Sequence, residues 1–246
     1  MKHTTAPYLL SPTHPVTVAV IGCGGNGSNM LSALARMHVS LQAVGHPGLM
    51  VTAYDDDIVS PANMGRQQFS EAEIGLPKSV VLITRINRFY GLQWEAVADK
   101  WYGYQHEVGN IIVSCVDLVS VRLNIHKVLY SIKPSGLRDW ERPWYWMDLG
   151  NDAKSGQVYL STVSFKTTSL HSLFLRYPKL KKQKDDATQP SCSVAEALRK
   201  QDLYINSTLA QFASALLWRL FREGGTDYQG AFINLDTLSV NPIKIQ

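Results

Sequence analysis

Unbroken apolar runs and helically spaced ones alternate along this chain, and the alternation predicts most of its elements. Val16 to Ile21 (VTVAVI) is a β-branched run that stops at a cluster of glycines, as a strand buried on both faces does. Gly27 to His38 then carries Met30, Leu31, Leu34, Ala35 and Met37 at helical spacing and predicts the first crossover helix. Leu49 to Tyr54 predicts a second strand that delivers Asp55, Asp56 and Asp57 at its carboxyl end. Pro77, followed by Val80, Val81, Ile83, Ile86 and Phe89, predicts a helix with proline in its first turn and Gly91 as its stop. A strand near Trp94 to Ala98 and a third buried strand at Ile111 to Val116 follow. Asp117 stands where that strand ends and the helix Leu118 to Ile132 begins. Trp144 to Leu149 and Gln157 to Phe165 read as two more strands, the second alternating as an antiparallel strand does. Leu203 to Phe221 predicts a strongly apolar helix, with closing strands at Ala231 to Leu235 and Val240 to Ile245. Arg176 to Pro190 is polar and charged and predicts a mobile loop leading to Cys192. The expected architecture is α/β: a Rossmann-like three-layer domain over 16–246, with a mixed, largely parallel central sheet and a loop near 176–192. An N-terminal extension, 1–15, precedes it.

Composition narrows the function more than the fold. A chain of 246 residues accommodates one large α/β domain and leaves no room for a second, substrate-binding one. The net charge of +4 is spread along the chain, so nucleic acid is not the expected partner. Met1 to Pro15 lacks the apolar core of a signal peptide, and no run reaches the roughly 18 apolar residues of a membrane span, so a cytoplasmic protein is expected. The 3 cysteines are isolated, without the CxxC pairs of a zinc site, and should be free thiols.

Gly22, Gly24, Gly25 and Gly27 form GCGGNG between the first strand and the first helix. Bare backbone there can approach a phosphate, and the helix N-terminus favours its charge. Asp55, after the second strand, stands where dinucleotide folds place the ribose-binding acid, although further along than the roughly 20 residues typical of them. Either ATP or NAD satisfies both features.

The next segment separates the two nucleotides. Asp55-Asp56-Asp57-Ile58-Val59 is followed by Asn63-Met64-Gly65-Arg66-Gln67, by Gly75-Leu76-Pro77-Lys78, and later by Asp117 with Arg122 (CVDLVSVR). In this order, after GCGGNG, these segments resemble the ThiF/MoeB/ubiquitin-activating superfamily of adenylating enzymes, from Val16 to about Leu220. Leu118 departs from the Asn usual after that Asp. The resemblance implies Asp55 on the ribose hydroxyls, Asn63 and Arg66 around the triphosphate with Gln67 nearby, Lys78 on the phosphates, and Asp117 on Mg2+. Asp57 would bind nucleotide, hold the loop after the second strand, or do both. The implied reaction is ATP-dependent adenylation of the C-terminal carboxylate of a small ubiquitin-like or sulfur-carrier protein or peptide. Two anions meet in that reaction and pyrophosphate leaves, so it needs the positive charge of Arg66, Lys78 and Mg2+.

Pro190-Ser191-Cys192-Ser193 is similar to the P-x-C-T segment that holds the thioester cysteine of ubiquitin-like activating enzymes, which implies acyl transfer to Cys192. Packing accounts for Cys23 and Cys115. No zinc is expected, and Met1 to Pro15 contains no Arg to act as the finger that relatives extend into a partner's ATP site. Trp146-Met147-Asp148-Leu149-Gly150-Asn151, with Gly156-Gln157, Lys200-Gln201-Asp202 and Ile205-Asn206, is similar to the ThiF-like subgroup of PRTRC systems. That likeness implies a ubiquitin-like substrate and a conjugating-enzyme partner, with Asp148 and Asn151 along the carboxylate tail's path, and the superfamily resemblance implies a homodimer. Two alternatives stay open: an NAD-dependent oxidoreductase, which leaves Asn63, Arg66 and Lys78 unexplained, and a nucleotide-binding partner subunit without turnover, which the missing Arg and Leu118 suggest.

Overall fold

The computed structural model describes residues 2–163, 170–182, 185 and 193–245. In chain order the elements are β1 (His3–Thr4), α1 (Pro7–Leu10), β2 (Val16–Ile21), α2 (Gly25–Ala43), β3 (Leu49–Tyr54), α3 (Lys78–Tyr90), β4 (Glu95–Val97), β5 (Ile111–Ser114) and α4 (Val119–Ser131). β6 (Tyr145–Asn151), β7 (Ser155–Thr162), α5 (Leu173–Arg176), α6 (Val194–Lys200), α7 (Ile205–Arg222), β8 (Gly225–Thr226), β9 (Tyr228–Asn234) and β10 (Ser239–Lys244) complete them.

The main sheet runs in the order β10-β9-β7-β6-β5-β2-β3-β4. It is parallel from β4 through β3, β2 and β5 to β6, and antiparallel from β6 through β7 and β9 to β10. Alternation along the strands supplies a core to each face. Val18 and Val20 of β2 join Val113, Met147, Leu31, Leu34, Leu82 and Leu217 beneath α2, α3 and α7. Ala19 and Ile21 join Ile112, Trp146, Ile125, Leu129 and Phe174 beneath α4 and α5. This is the expected three-layer arrangement. The α3 stop also matches: Gly91 adopts φ 68° and its N–H donates to the Asn87 carbonyl.

The ends of the chain depart from the sequence reading. Residues 3–10, expected outside the domain, pack inside it: β1 pairs antiparallel with β8, and Ala6 and Leu9 are fully buried. Tyr145 organises this contact, since its hydroxyl accepts the Ala6 N–H at 2.9 Å and lies 2.8 Å from His3 Nε2. A short segment broken by Pro7 carries no strand or helix period, so only the tertiary hydrogen bonds reveal its place. Within the stretch expected as a loop, α5 extends to Arg176, and Pro178–Lys182 forms a 3-10 turn; apart from Asp185, residues 183–192 lie outside the described residues. The unexpected α6 starts at Ser193, whose side chain accepts the Glu196 N–H, so a Ser-x-x-Glu start signal was present in the sequence.

Among the described residues no helix is long and apolar enough to cross a membrane.

Tyr145→Phe should lower stability by about 1–3 kcal/mol, because it leaves the buried Ala6 N–H without that acceptor. Urea unfolding of the two proteins measures it, and an unchanged midpoint would mean that the N-terminal segment does not depend on this bond.

Candidate functional site

Open α/β sheets bind ligands at the carboxyl ends of the strands where strand order reverses. Here β2 is followed by β3 on one side and faces β5 on the other, so the reversal lies between Gly22 and Cys115. Gly22 sits at φ +90°, and a Cβ on it would come 2.9 Å from the Cys115 carbonyl oxygen. A Cβ on Gly27 would lie 1.9 Å from the Gly22 carbonyl oxygen, so the first turn of α2 rests directly on the loop. Gly24 caps α2 and has open space where a side chain would be, leaving the helix N-terminus accessible.

Asp55 closes the loop from β3. Its Oδ2 accepts the Cys23 N–H at 2.5 Å and its Oδ1 accepts the Asp57 N–H at 2.8 Å. Burial pushes the Asp55 carboxyl above its ordinary range, while these two amides and Lys78 pull it back. Each oxygen keeps a further lone pair, so the carboxylate can still accept a ribose hydroxyl. Lys78, only 6% exposed at the start of α3, pairs with Asp57 at 2.7 Å. Asp57 therefore both shapes the loop after β3 and holds Lys78 in place. Asp56 is exposed and lies 3.6 Å from Lys100.

The 3-10 turn Pro61–Asn63 brings up the third part of the site. Asn63 Oδ1 accepts from the Ser60 N–H at 2.8 Å and from its hydroxyl at 3.1 Å, so this side chain caps its own turn. That geometry places Arg66, Gln67 and their backbone beside α2. Arg66 donates through a terminal guanidinium nitrogen to Gln201 Oε1. Burial lowers its pKa and the neighbouring charge of Asp117 opposes that shift. Arg66 Nε, Gln67 Oε1 and Asn26 Oδ1 are buried without a hydrogen-bond partner among the described residues. Buried polar atoms ordinarily have partners, so Asn26 in the glycine loop and Arg66 and Gln67 after the 3-10 turn keep polar groups that a ligand could meet; Arg122 Nε and Asp148 Oδ2 are likewise unpartnered among the described residues.

Asp117 is exposed at the end of β5 and does not cap α4. Asp185 does so instead, accepting the Val119 N–H at 2.5 Å; a hydrogen bond from the Ser120 side chain, and then the Val119 and Ser120 amides, pull its carboxyl below its ordinary value. Behind Asp117, Arg122 donates to the Val116 and Leu149 carbonyls at 2.6 and 3.1 Å and lies 3.4 Å from Asp148, which is 1% exposed. Asn151 Oδ1 accepts from Asn26 Nδ2 at 2.9 Å. Asp148 is thus a buried brace between β5 and β6, whereas Asn151 stands beside the glycine loop.

Gly22, Gly24, Gly25, Gly27, Asp55, Asp57, Arg66, Gln67 and Lys78 converge on one edge of the sheet, with Asn63 shaping the turn and Asp117 opposite. Burial pushes the Cys23 and Cys115 thiols well above the ordinary value, which suits packing and not nucleophilic chemistry. Cys192 lies outside the described residues. Sequence reasoning missed Asn26, although it sits inside the glycine motif, and it gave Gln201 no role. Nothing in the local sequence marks Asp185 as the cap of a distant helix. An open groove of about 620 Å³ between α2 and α3, lined by Ser32, Gln68, Arg85, Arg88 and Phe89, lies away from these convergent groups.

Fold and site define a Rossmann-like α/β protein with a phosphate-type glycine loop at the reversal of its sheet. The chain belongs to the ThiF family, whose family model matches residues 13–245. No curated protein matches it. Among solved structures it is similar to Escherichia coli MccB crystallised with ATP, at 15% identity and TM-score 0.61, over 96% of this chain and 65% of that one. MccB crystallised with MccA gives the same values. PaaA is similar at 15% identity and TM-score 0.58, over 94% of this chain and 64% of its own. The chain therefore spans about two thirds of these relatives, and at such identity the likeness establishes the fold.

Gly27→Ala should unfold the loop or abolish soluble expression, because a methyl group 1.9 Å from the Gly22 carbonyl oxygen requires the backbone to separate. Gly24→Ala, with open space around its Cβ, should leave folding intact, and melting curves of the pair give the comparison.

Proposed function

We propose that this chain catalyses ATP-dependent adenylation of the C-terminal carboxylate of a small ubiquitin-like or sulfur-carrier protein or peptide. One observation carries the reading: Asp55, Arg66 and Lys78 gather around an accessible helix N-terminus, with Arg66 Nε and Gln67 Oε1 buried and unpartnered. The family membership supports it, as does the likeness to a protein crystallised with ATP and with MccA.

ATP fits the donors present. The α2 amides and Gly24 would face phosphate, Asp55 would accept the ribose hydroxyls, and Arg66 and Lys78 would meet the charge of the triphosphate. Mg2+ held by Asp117 would supply further positive charge. A carboxylate oxygen of the partner's C-terminus attacks the α-phosphorus, the bond to the β-phosphate oxygen breaks, and acyl-AMP and pyrophosphate form. Arg66 and Lys78 act by holding two anions together and stabilising the charge that passes to pyrophosphate. Lys78 has three donors and Asp57 uses one, so it can keep its anchor and still contact phosphate. If Cys192 continues the reaction, its thiolate attacks the acyl carbonyl and AMP departs with the electron pair. A homodimer and a conjugating-enzyme partner belong to this same reading.

ATP–pyrophosphate exchange should appear when a carrier with a free Gly-Gly tail is supplied, and its absence with every such carrier would sink the proposal. Arg66→Ala and Lys78→Ala should each weaken Mg-ATP binding about ten- to a hundredfold, the scale of a lost charged hydrogen bond of about 1.5–3 kcal/mol. Calorimetric titration with Mg-ATP and with NAD checks this, and binding of NAD alone would replace the reading with the oxidoreductase. Cys192→Ala should keep exchange and lose a thiol-sensitive adduct with the carrier, and an adduct that persists would remove Cys192 from the reaction.

A further inference from the structure

Arg66 approaches the glycine loop from the turn that follows Pro61–Asn63, and a long side chain on such a turn needs something to aim it. What aims it comes from the far end of the chain. Gln201 caps the C-terminus of α6, its N–H donating to the Ala197 carbonyl at 3.0 Å. The next residue is fixed as well, since the Asp202 N–H donates to the Ala153 carbonyl at 2.7 Å. On this anchored backbone, Gln201 Oε1 accepts from the Arg66 guanidinium and from Asn206 Nδ2, the latter at 3.2 Å. Asn206 is itself 2% exposed and packed so closely on Gly25 that a Cβ there would lie 2.5 Å from its amide. Gln201, Asn206, Gly25 and Arg66 thus form one chain of contact from α6 and α7 to the glycine loop.

The chemistry of the acceptor matters. An amide oxygen orients a guanidinium without neutralising it, whereas a carboxylate in the same place would form an ion pair and compete with phosphate for the same donors. Arg66 is held through a terminal nitrogen while its Nε stays buried and without a partner among the described residues.

We propose that Gln201 is a positioning residue for nucleotide phosphate: it holds the Arg66 guanidinium in its ligand-ready orientation while leaving its charge available, and ties it to α6. The proposal rests on the nucleotide reading above.

The test uses the full chain in a double-mutant cycle of Arg66→Ala and Gln201→Ala, with Gln201→Glu as the near-isosteric third variant. Titration with Mg-ATP is compared with adenosine, which lacks phosphate. Gln201→Ala should weaken ATP on the order of tenfold, leave adenosine within about twofold, and add nothing in the Arg66→Ala background. Gln201→Glu should weaken ATP at least as much, again sparing adenosine. ATP affinity unchanged in Gln201→Ala, an equal loss for adenosine, or the same loss with and without Arg66 would each overturn the proposal. The cycle is repeated by urea unfolding without nucleotide. A wild-type chain that binds no ATP overturns the nucleotide reading, while additive unfolding effects overturn only the Arg66–Gln201 contact.

Discussion

The site depends on the approach of Gly27 to the Gly22 carbonyl, which leaves no room for a side chain at the start of α2. That contact brings the helix N-terminus to the reversal of the sheet, where its unpaired amides face the crevice between β2 and β5. Asp55 makes the arrangement hold. Burying a carboxylate is costly, and burial does push its pKa upward, but two backbone amides converge on its oxygens and recover much of that cost. The acid that would read a ribose is also the clasp that fixes Cys23 at the centre of the glycine loop.

The two cations of the site are held by different kinds of partner. Lys78 is nearly buried and pairs at 2.7 Å with Asp57, which is mostly exposed, so water screens the pair. Arg66 leans on the neutral Gln201. By contrast, Arg122 donates through one terminal nitrogen to the Val116 and Leu149 carbonyls and lies 3.4 Å from the buried Asp148. The two arginines thus differ in surroundings, a neutral amide beside Arg66 and a buried carboxylate beside Arg122.

How far the sequence could be read follows from the range of each interaction. The strands β2 and β3 and the helix α3 are written in local apolar runs and stop residues, so their limits were legible to within a residue or two. The GCGGNG loop, Asp55 and Lys78 were legible because phosphate chemistry constrains residue type at fixed spacing. What stayed hidden is held by contacts between distant segments. Tyr145 holds the N-terminal segment, Asp185 caps α4, and Gln201 aims Arg66, and none has a local pattern that names its partner. The cap of α4 belongs to Asp185, and Asp117 is left exposed beside the site.

That division also bears on how such a site changes in evolution or design. The loop glycines are fixed by sterics, since Gly25 and Gly27 face atoms closer than any Cβ tolerates. The residues that orient the cations are under a softer constraint, because an amide, a hydroxyl or a carbonyl can each accept from a guanidinium. The glycines are therefore constrained by space, whereas the neutral acceptor behind Arg66 is constrained by hydrogen-bonding chemistry. In this chain that acceptor is Gln201 at the end of α6, and Asn206 at the start of α7 donates to the same oxygen. The orientation of Arg66 is consequently tied to the end of α6, which the Asp202–Ala153 hydrogen bond holds to the loop between β6 and β7.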